Sequence, residues 1–141
     1  MIKKENIRAK VQADDWRDAI KKVGALLVEA KSVIPDYLDA MIKAIEDMGP
    51  YIVLMPGFAL AHAAPSEAVL QNDAALITLK EGINFGSAND PVYVVFCVSC
   101  KDRESHRSML KKIAKRFLDE GVLEEIMNAQ SVDGIAACLQ E

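Results

Sequence analysis

Three strand-like segments in the middle of this 141-residue chain restrict it to an α/β fold. Tyr51–Met55 (YIVLM) is a continuous apolar run bounded by prolines, a pattern typical of a strand that is buried on both faces of a sheet. Asp73–Leu79 (DAALITL) and Val92–Cys100 (VYVVFCVSC) follow, and the latter is the strongest strand signal in the chain. Because a sheet with two buried faces must be covered on both, helices are expected on either side of it.

Amphipathic segments before and after these strands supply such helices. Asp14 or Asp15 is suited to cap a helix whose apolar residues recur with a 3.6-residue period, and Pro35 suits the first turn of a second helix. Three more helices are predicted over residues 103–117, 122–127 and 132–139, and a further strand over residues 6–12. We therefore predict one domain over residues 1–141, with a mixed, mostly parallel sheet sandwiched between helices.

Composition excludes several classes of protein. The net charge of −4 argues against a general nucleic-acid binder, which usually presents a basic face. No apolar run approaches the roughly 18 to 20 residues that span a bilayer. The first residues, MIKKENIRAK, lack the apolar stretch of a signal peptide. An odd number of cysteines, three, predicts reduced thiols in a cytoplasmic protein.

His62 is one of only two histidines and lies in a loop just beyond the YIVLM strand. Loops past strand ends carry much of the chemistry of α/β proteins. The flanking residues Ala61, Ala63 and Ala64 leave room for a large group to approach the ring. The alternative interpretation is an ordinary histidine in a surface loop.

His106, the other histidine, lies near the start of the helix that follows the strongest strand, with Asp102 or Ser105 as its cap. It shares the inward face of that helix with Met109, Leu110, Ile113 and Phe117. A helix N-terminus disfavours imidazolium and binds anions. Two neutral histidines at such a place suit phosphoryl transfer, in which one attacks and the other holds phosphoryl oxygens. A purely structural role and a two-histidine metal site, which lacks a third ligand, remain alternatives.

The segments GPYIVLMPGFALAHAAPSEAV and GINFGSANDPVYVVFCVSCKDRESHRSMLKKIAKRF resemble the enzyme IIA components of the bacterial phosphoenolpyruvate-dependent sugar phosphotransferase system. The resemblance is to the mannitol/fructose type, and within it to the ascorbate-specific branch. It extends over nearly the whole chain, from Trp16 in the first helix to the last helix. It implies the mannitol-type enzyme IIA fold.

The resemblance also implies a mechanism. His62 would accept a phosphoryl group on Nε2 from phospho-HPr and pass it to a cysteine of enzyme IIB, with His106 stabilising the phosphoryl group. The membrane component IIC would take part indirectly, as the sugar, ascorbate by this branch, is imported. No cofactor, metal or nucleic acid is implied, and a homodimer is left open. The chain departs from the usual pattern at Ala61, where many relatives have proline, and at Ala64, where many in this branch have arginine.

Two alternative functions follow from other features. A regulatory module would keep the fold and the phosphorylation but control a protein target instead of sugar import. A small thiol or metal protein would use Cys97 and Cys100, which form a C-x-x-C pattern, although Cys97 is expected in the core and Cys138 in a buried helix position. A separate feature is the basic outer face of the helix after His106, at residues 103, 107, 111, 112, 115 and 116.

Sequence also offers three acids near the proposed site. A carboxylate often orients a functional histidine by bonding its second ring nitrogen. Glu67, Asp73 and Asp90 are the candidates for this role toward His62 or His106.

Overall fold

A five-stranded mixed sheet forms the centre of the molecule, whose computed structural model describes residues 2–119 and 121–139. The strands are Ile7–Val11 (β1), Val53–Met55 (β2), Phe58–Ala61 (β3), Asp73–Ile83 (β4) and Val92–Ser99 (β5). The helices are Trp16–Glu29 (α1), Asp36–Met48 (α2), Arg103–Leu118 (α3), Val122–Asn128 (α4) and Val132–Leu139 (α5). The sheet order is β1-β4-β5-β3-β2. The pairs β1–β4 and β3–β5 are parallel, whereas β4–β5 and β2–β3 are antiparallel.

The sheet is covered by helices on both faces, as the sequence predicts. Alternate residues of the central strands face opposite ways, so Val95 and Cys97 of β5 join the core under α1 and α2. Val94, Phe96 and Val98 join the second core, under α3, α4 and α5. This two-sided burial explains why β5 is apolar at nearly every position.

Aromatic packing fixes α3 against the sheet. Phe117 stacks on Phe58 of β3 with ring centroids 4.4 Å apart and meets Phe96 of β5 edge-on at 5.9 Å. Burial of one such side chain contributes about 1.5–3 kcal/mol. Because β3 and β5 are parallel neighbours, this packing fixes the position of α3 relative to the ends of both strands.

The helix starts follow the predicted capping chemistry. Asp15 caps α1 by accepting a hydrogen bond from the Asp18 N–H at 2.8 Å. Asp102 caps α3 by accepting one from the Ser105 N–H at 2.7 Å. Gly49 ends α2 with a φ of +81°, a conformation that glycine adopts without strain.

One strand prediction in the middle of the chain is wrong, and the strand next to it was not predicted. Residues 51–55 do not form a doubly covered strand: β2 has three residues at the sheet edge, and Leu54 is 45% exposed. The fully buried strand here is β3, which the sequence pattern missed. Gly57, with a φ of +85°, makes the tight reversal that turns β2 back antiparallel to β3.

A further observation concerns membranes. Across residues 2–119 and 121–139, every helix is too short or too polar to cross a lipid bilayer.

Candidate functional site

The two histidines lie together at one end of the central strands. Ala61, the last residue of β3, pairs with Cys97 near the end of the parallel strand β5, so His62 emerges at the carboxyl end of both strands. A short connection leads from β5 into α3, whose fourth residue is His106. The two imidazole rings are 5.3 Å apart between centroids, tilted by 53°. The structure thus brings together the pair that the sequence singled out.

A backbone carbonyl orients the His62 ring. Its Nδ1 lies 2.7 Å from the carbonyl oxygen of Leu60. Because a carbonyl oxygen can only accept, Nδ1 must carry the proton and Nε2 must carry the free lone pair. Of the two ring nitrogens of His62, Nε2 is therefore the one whose lone pair is free to react.

Both histidines are biased toward the neutral form. Burial lowers the pKa of His62, an effect that the Leu60 carbonyl opposes and the neighbouring His106 reinforces. Burial also lowers the pKa of His106. A lowered pKa keeps the His62 lone pair available near neutral pH.

The His106 ring has one blocked nitrogen. Its Nδ1 is buried and meets no hydrogen-bond partner among the described residues. A buried N–H without an acceptor is costly, so the favoured tautomer places the proton on Nε2. That leaves the N–H on Nε2 free to donate to an anion.

Tyr51 forms a third wall of the site that sequence reasoning missed. Its ring meets the His62 ring edge-on, with centroids 5.4 Å apart, and its hydroxyl lies 3.4 Å from the His62 carbonyl oxygen. The His62 ring thus has two ring neighbours, Tyr51 and His106. The signal was the β2–β3 reversal at Gly57, since folding these strands back on each other places Tyr51 beside His62.

Tyr37 of α2 holds the backbone that follows His62. Its buried hydroxyl donates to the Val98 carbonyl at 2.7 Å and accepts from the Ala63 N–H at 3.1 Å. Burial raises the pKa of this phenol, so it stays protonated and able to donate. The hydroxyl therefore ties the loop after β3 to the end of β5.

Removal of this hydroxyl is expected to destabilise the protein. In Tyr37→Phe the Val98 carbonyl and the Ala63 N–H lose their buried partner, which should lower the free energy of unfolding by about 1–3 kcal/mol. Urea denaturation measures the change. Tyr93→Phe is the matched control, because the Tyr93 hydroxyl makes no hydrogen bond within the described residues. Equal stability of the two variants would contradict the assigned role of Tyr37.

The three candidate acids do not orient either ring in the described residues. Asp73 instead accepts from Asn6 and Ser32 side chains. Asp90 accepts hydrogen bonds from the backbone N–H groups of residues 85–87. It lies just before the start of β5, at the opposite end of this strand from the histidines. Glu67 is exposed. The expectation of an acidic partner for His62 is therefore wrong, because the Leu60 carbonyl already occupies Nδ1.

The cysteines belong to the core rather than to a reactive centre. Cys97 is completely buried, its thiol lies 3.7 Å from the Met41 sulfur, and burial raises its pKa. Burial also raises the pKa of Cys100, so neither thiol is activated. The expectation of a core position for Cys97 is confirmed, while Cys138 is only partly buried. Residues 2–119 and 121–139 also contain no group of three or more side chains suited to hold a metal.

An open apolar groove of about 500 Å³ lies beside His62. Residues that line it include Ala44, Met48, Tyr51, Ala64 and Pro65. Met48 is 64% exposed, which is unusual for so apolar a side chain. The site therefore lies next to a groove with a mostly small and apolar lining, which also includes Lys43 and Asp47.

Residues 1–141 match the family described as "Phosphoenolpyruvate-dependent sugar phosphotransferase system, EIIA 2". The ascorbate-specific PTS system EIIA component of Shigella boydii is 34% identical over 143 residues, which cover 100% of this chain and 87% of that relative. The crystal structure of IIA mannitol from Escherichia coli superposes with a TM-score of 0.87 at 26% identity, covering 99% of both chains. A complex of enzyme IIA mannitol with phosphorylated enzyme IIB mannitol, also from E. coli, gives a TM-score of 0.86 at 25% identity, covering 98% of this chain and 96% of that one.

Proposed function

The chain belongs to the EIIA 2 family of the phosphoenolpyruvate-dependent sugar phosphotransferase system, and on this basis we propose that His62 is the residue it phosphorylates. The observation that carries this proposal is the free Nε2 of His62, on a ring whose centroid lies 5.3 Å from that of a second histidine. The remaining alternatives for a nucleophile at this end of the strands are weaker, since the Cys100 thiol is buried with a raised pKa.

The transfer needs no group beyond the side chains and the two proteins. The Nε2 lone pair attacks the phosphorus of the donor's phosphohistidine, and the donor P–N bond breaks with its electron pair returning to the donor ring. The His62 ring then carries the phosphoryl group on Nε2 and its proton on Nδ1. The Leu60 carbonyl, 2.7 Å from Nδ1, stabilises the positive charge that develops on this ring.

His106 supplies the stabilising contact. As phosphoryl oxygens pass between donor and acceptor nitrogens, the N–H on Nε2 of His106 donates a hydrogen bond to one of them. Because His106 is held near the start of α3, the helix dipole favours the negative charge at the same place. The free histidine pair is thus already arranged for the phosphoryl group before it arrives.

The donor and acceptor follow from the family. We assign phospho-HPr as the donor and a cysteine of enzyme IIB as the acceptor, which fits the structural match to a IIA chain bound to phosphorylated IIB. The similarity to an ascorbate-specific component favours ascorbate as the sugar imported downstream through IIC. From this cycle we infer that the protein works in the cytoplasm.

A loading assay tests the proposal. The protein is incubated with phosphoenolpyruvate, enzyme I and HPr, and its intact mass is measured. We expect the addition of one phosphoryl group that is lost in acid, as phosphohistidine is. Absence of any mass increase while HPr itself becomes phosphorylated would refute phosphocarrier function.

The acid dependence of the site follows from the lowered pKa values. The pKa of each ring is expected to lie below 6.5, the ordinary value for histidine, so each ring is neutral to a greater extent at that pH than a histidine in the unfolded chain. Unfolded histidines take up protons first as the pH falls through 6.5, so the protein loses stability in that range. NMR titration measures the pKa of each imidazole in the folded protein and, as the reference, in the urea-unfolded chain.

The His106→Ala variant should raise the pKa of His62, and an unchanged value would contradict the coupling between the rings.

A further inference from the structure

Helix α3 presents a row of exposed cations on its outer face. Its residues are Arg103, Arg107, Lys111, Lys112 and Lys115, hereafter the basic row. α3 holds six of the chain's 17 lysines and arginines but only one of its 21 aspartates and glutamates, Glu104. The rest of the chain is therefore strongly negative, and α3 is the region toward which an acidic surface is attracted.

Internal stability does not account for the basic row. Its members form no ion pair within the described residues, although exposed ion pairs form elsewhere, as between Lys43 and Asp47. Residues four apart on a helix are neighbours, so Arg103, Arg107 and Lys111 repel one another along the helix. Arg103 also lies in the first turn, where the helix dipole opposes a positive charge.

The basic row begins beside the histidine pair. Arg103 and Arg107 are within one turn of His106, and Lys115 is nine residues beyond it, or about 14 Å along the helix. A standard protein interface covers about 800 Å² on each partner, equivalent to a disc of roughly 16 Å radius. A protein whose reactive group reaches His62 therefore comes within reach of the first members of the row.

We propose that the basic row docks an acidic face of the acceptor protein that takes the phosphoryl group from His62. This inference rests on the proposed function. In the acceptor step the phosphoryl dianion is on this chain and repels an acidic partner at close range. Positive charges one turn away offset that repulsion and speed association. In the donor step the phosphoryl dianion is carried by HPr, so this chain has no phosphoryl charge of its own for the basic row to offset.

Charge reversal at the near end of the row tests the proposal. The Arg103→Glu/Arg107→Glu variant is compared with Lys21→Glu/Lys80→Glu, which reverses two exposed cations outside the row, on α1 and β4. Both side chains are exposed, and Arg103 lies in the first turn, where glutamate suits the helix dipole, so the fold should persist. The rate of phosphoryl transfer is measured from each phosphorylated protein to the IIB protein of an ascorbate-specific system, at about 0.05 M and about 0.5 M salt.

The near-row variant is expected to transfer about tenfold more slowly at low salt, with the difference shrinking below about twofold at high salt. Loading from phospho-HPr and the control variant should stay near wild type. The inference is overturned by equal losses in both variants, by a loss that high salt does not relieve, by slowing of the donor step instead, or by a loaded wild-type chain that passes nothing to IIB. Failure of the wild-type chain to load would refute the phosphorylation of His62 itself.

Discussion

The His62→Ala variant is expected to take up no phosphoryl group from phospho-HPr. The reason is that no other side chain described at this end of the strands can replace the lost nucleophile. His106 has one buried nitrogen, and the favoured tautomer places a proton on the other. The Cys100 thiol is buried and its pKa is raised, which disfavours the reactive thiolate.

This result is measured by intact mass after incubation with phosphoenolpyruvate, enzyme I and HPr. Ser66→Ala is the matched control, because Ser66 lies in the same loop and its hydroxyl makes one local hydrogen bond among the described residues, from the Ala68 N–H. It should load like wild type. Since the His62 side chain is only partly buried, circular dichroism should show that His62→Ala remains folded. A His62→Ala protein labelled at the wild-type rate would show that the phosphoryl group resides elsewhere.

Much of the fold was predictable because its signals are local. The start of α1 at Trp16 follows from Asp15, and the start of α3 at Arg103 follows from Asp102, since each carboxylate caps its own helix. The strand β5 is apolar at nearly every position because both its faces are covered, and that pattern is visible in the sequence. The inward position of His106 on α3 follows from the same helical period as the buried Ile113.

The edge of the sheet was less predictable. The strand β3 has four residues, FALA, and all are buried, so neither alternation nor length distinguishes it from other apolar segments. The apolar run at residues 51–55 looked like the buried strand, but only residues 53–55 pair, at the sheet edge. Because the positions of β2 and β3 were not predicted, the sequence did not indicate Tyr51 as a neighbour of His62. That contact depends on the reversal at Gly57.

The group that orients His62 has no sequence signature at all. A carboxylate can be sought among nearby acids, whereas every residue has a carbonyl. The Leu60 carbonyl has this role because, at the end of β3, the ring of His62 turns back toward the carbonyl group two residues earlier. Sequence can therefore propose which side chain reacts, while the choice of Nε2 as the reacting atom requires the structure.

The His106→Ala variant is expected to slow phosphoryl transfer about 10²–10³-fold while leaving the fold intact, the effect of removing one preorganised donor from a developing negative charge. The ring is only partly buried and its buried Nδ1 satisfies no other group of the described residues, so truncation breaks no internal hydrogen bond. Rapid-quench measurement of phosphoryl gain from phospho-HPr, and of phosphoryl return from the phosphorylated chain to HPr, gives both rates. Ser108→Ala, an exposed change on the same helix, is the control.

The pattern of the two rates decides how His106 acts. If its N–H stabilises mainly the transition state, gain from HPr and the reverse reaction back to HPr slow by the same factor, and the equilibrium between them is unchanged. If it stabilises mainly the phosphorylated His62, the reverse reaction slows less, and the equilibrium shifts toward phospho-HPr. The ring centroids of His62 and His106 lie 5.3 Å apart before any phosphoryl group is present, so the N–H of His106 is already near His62 at the start of transfer. We therefore expect equal slowing in both directions, and wild-type rates in both would exclude His106 from the chemistry.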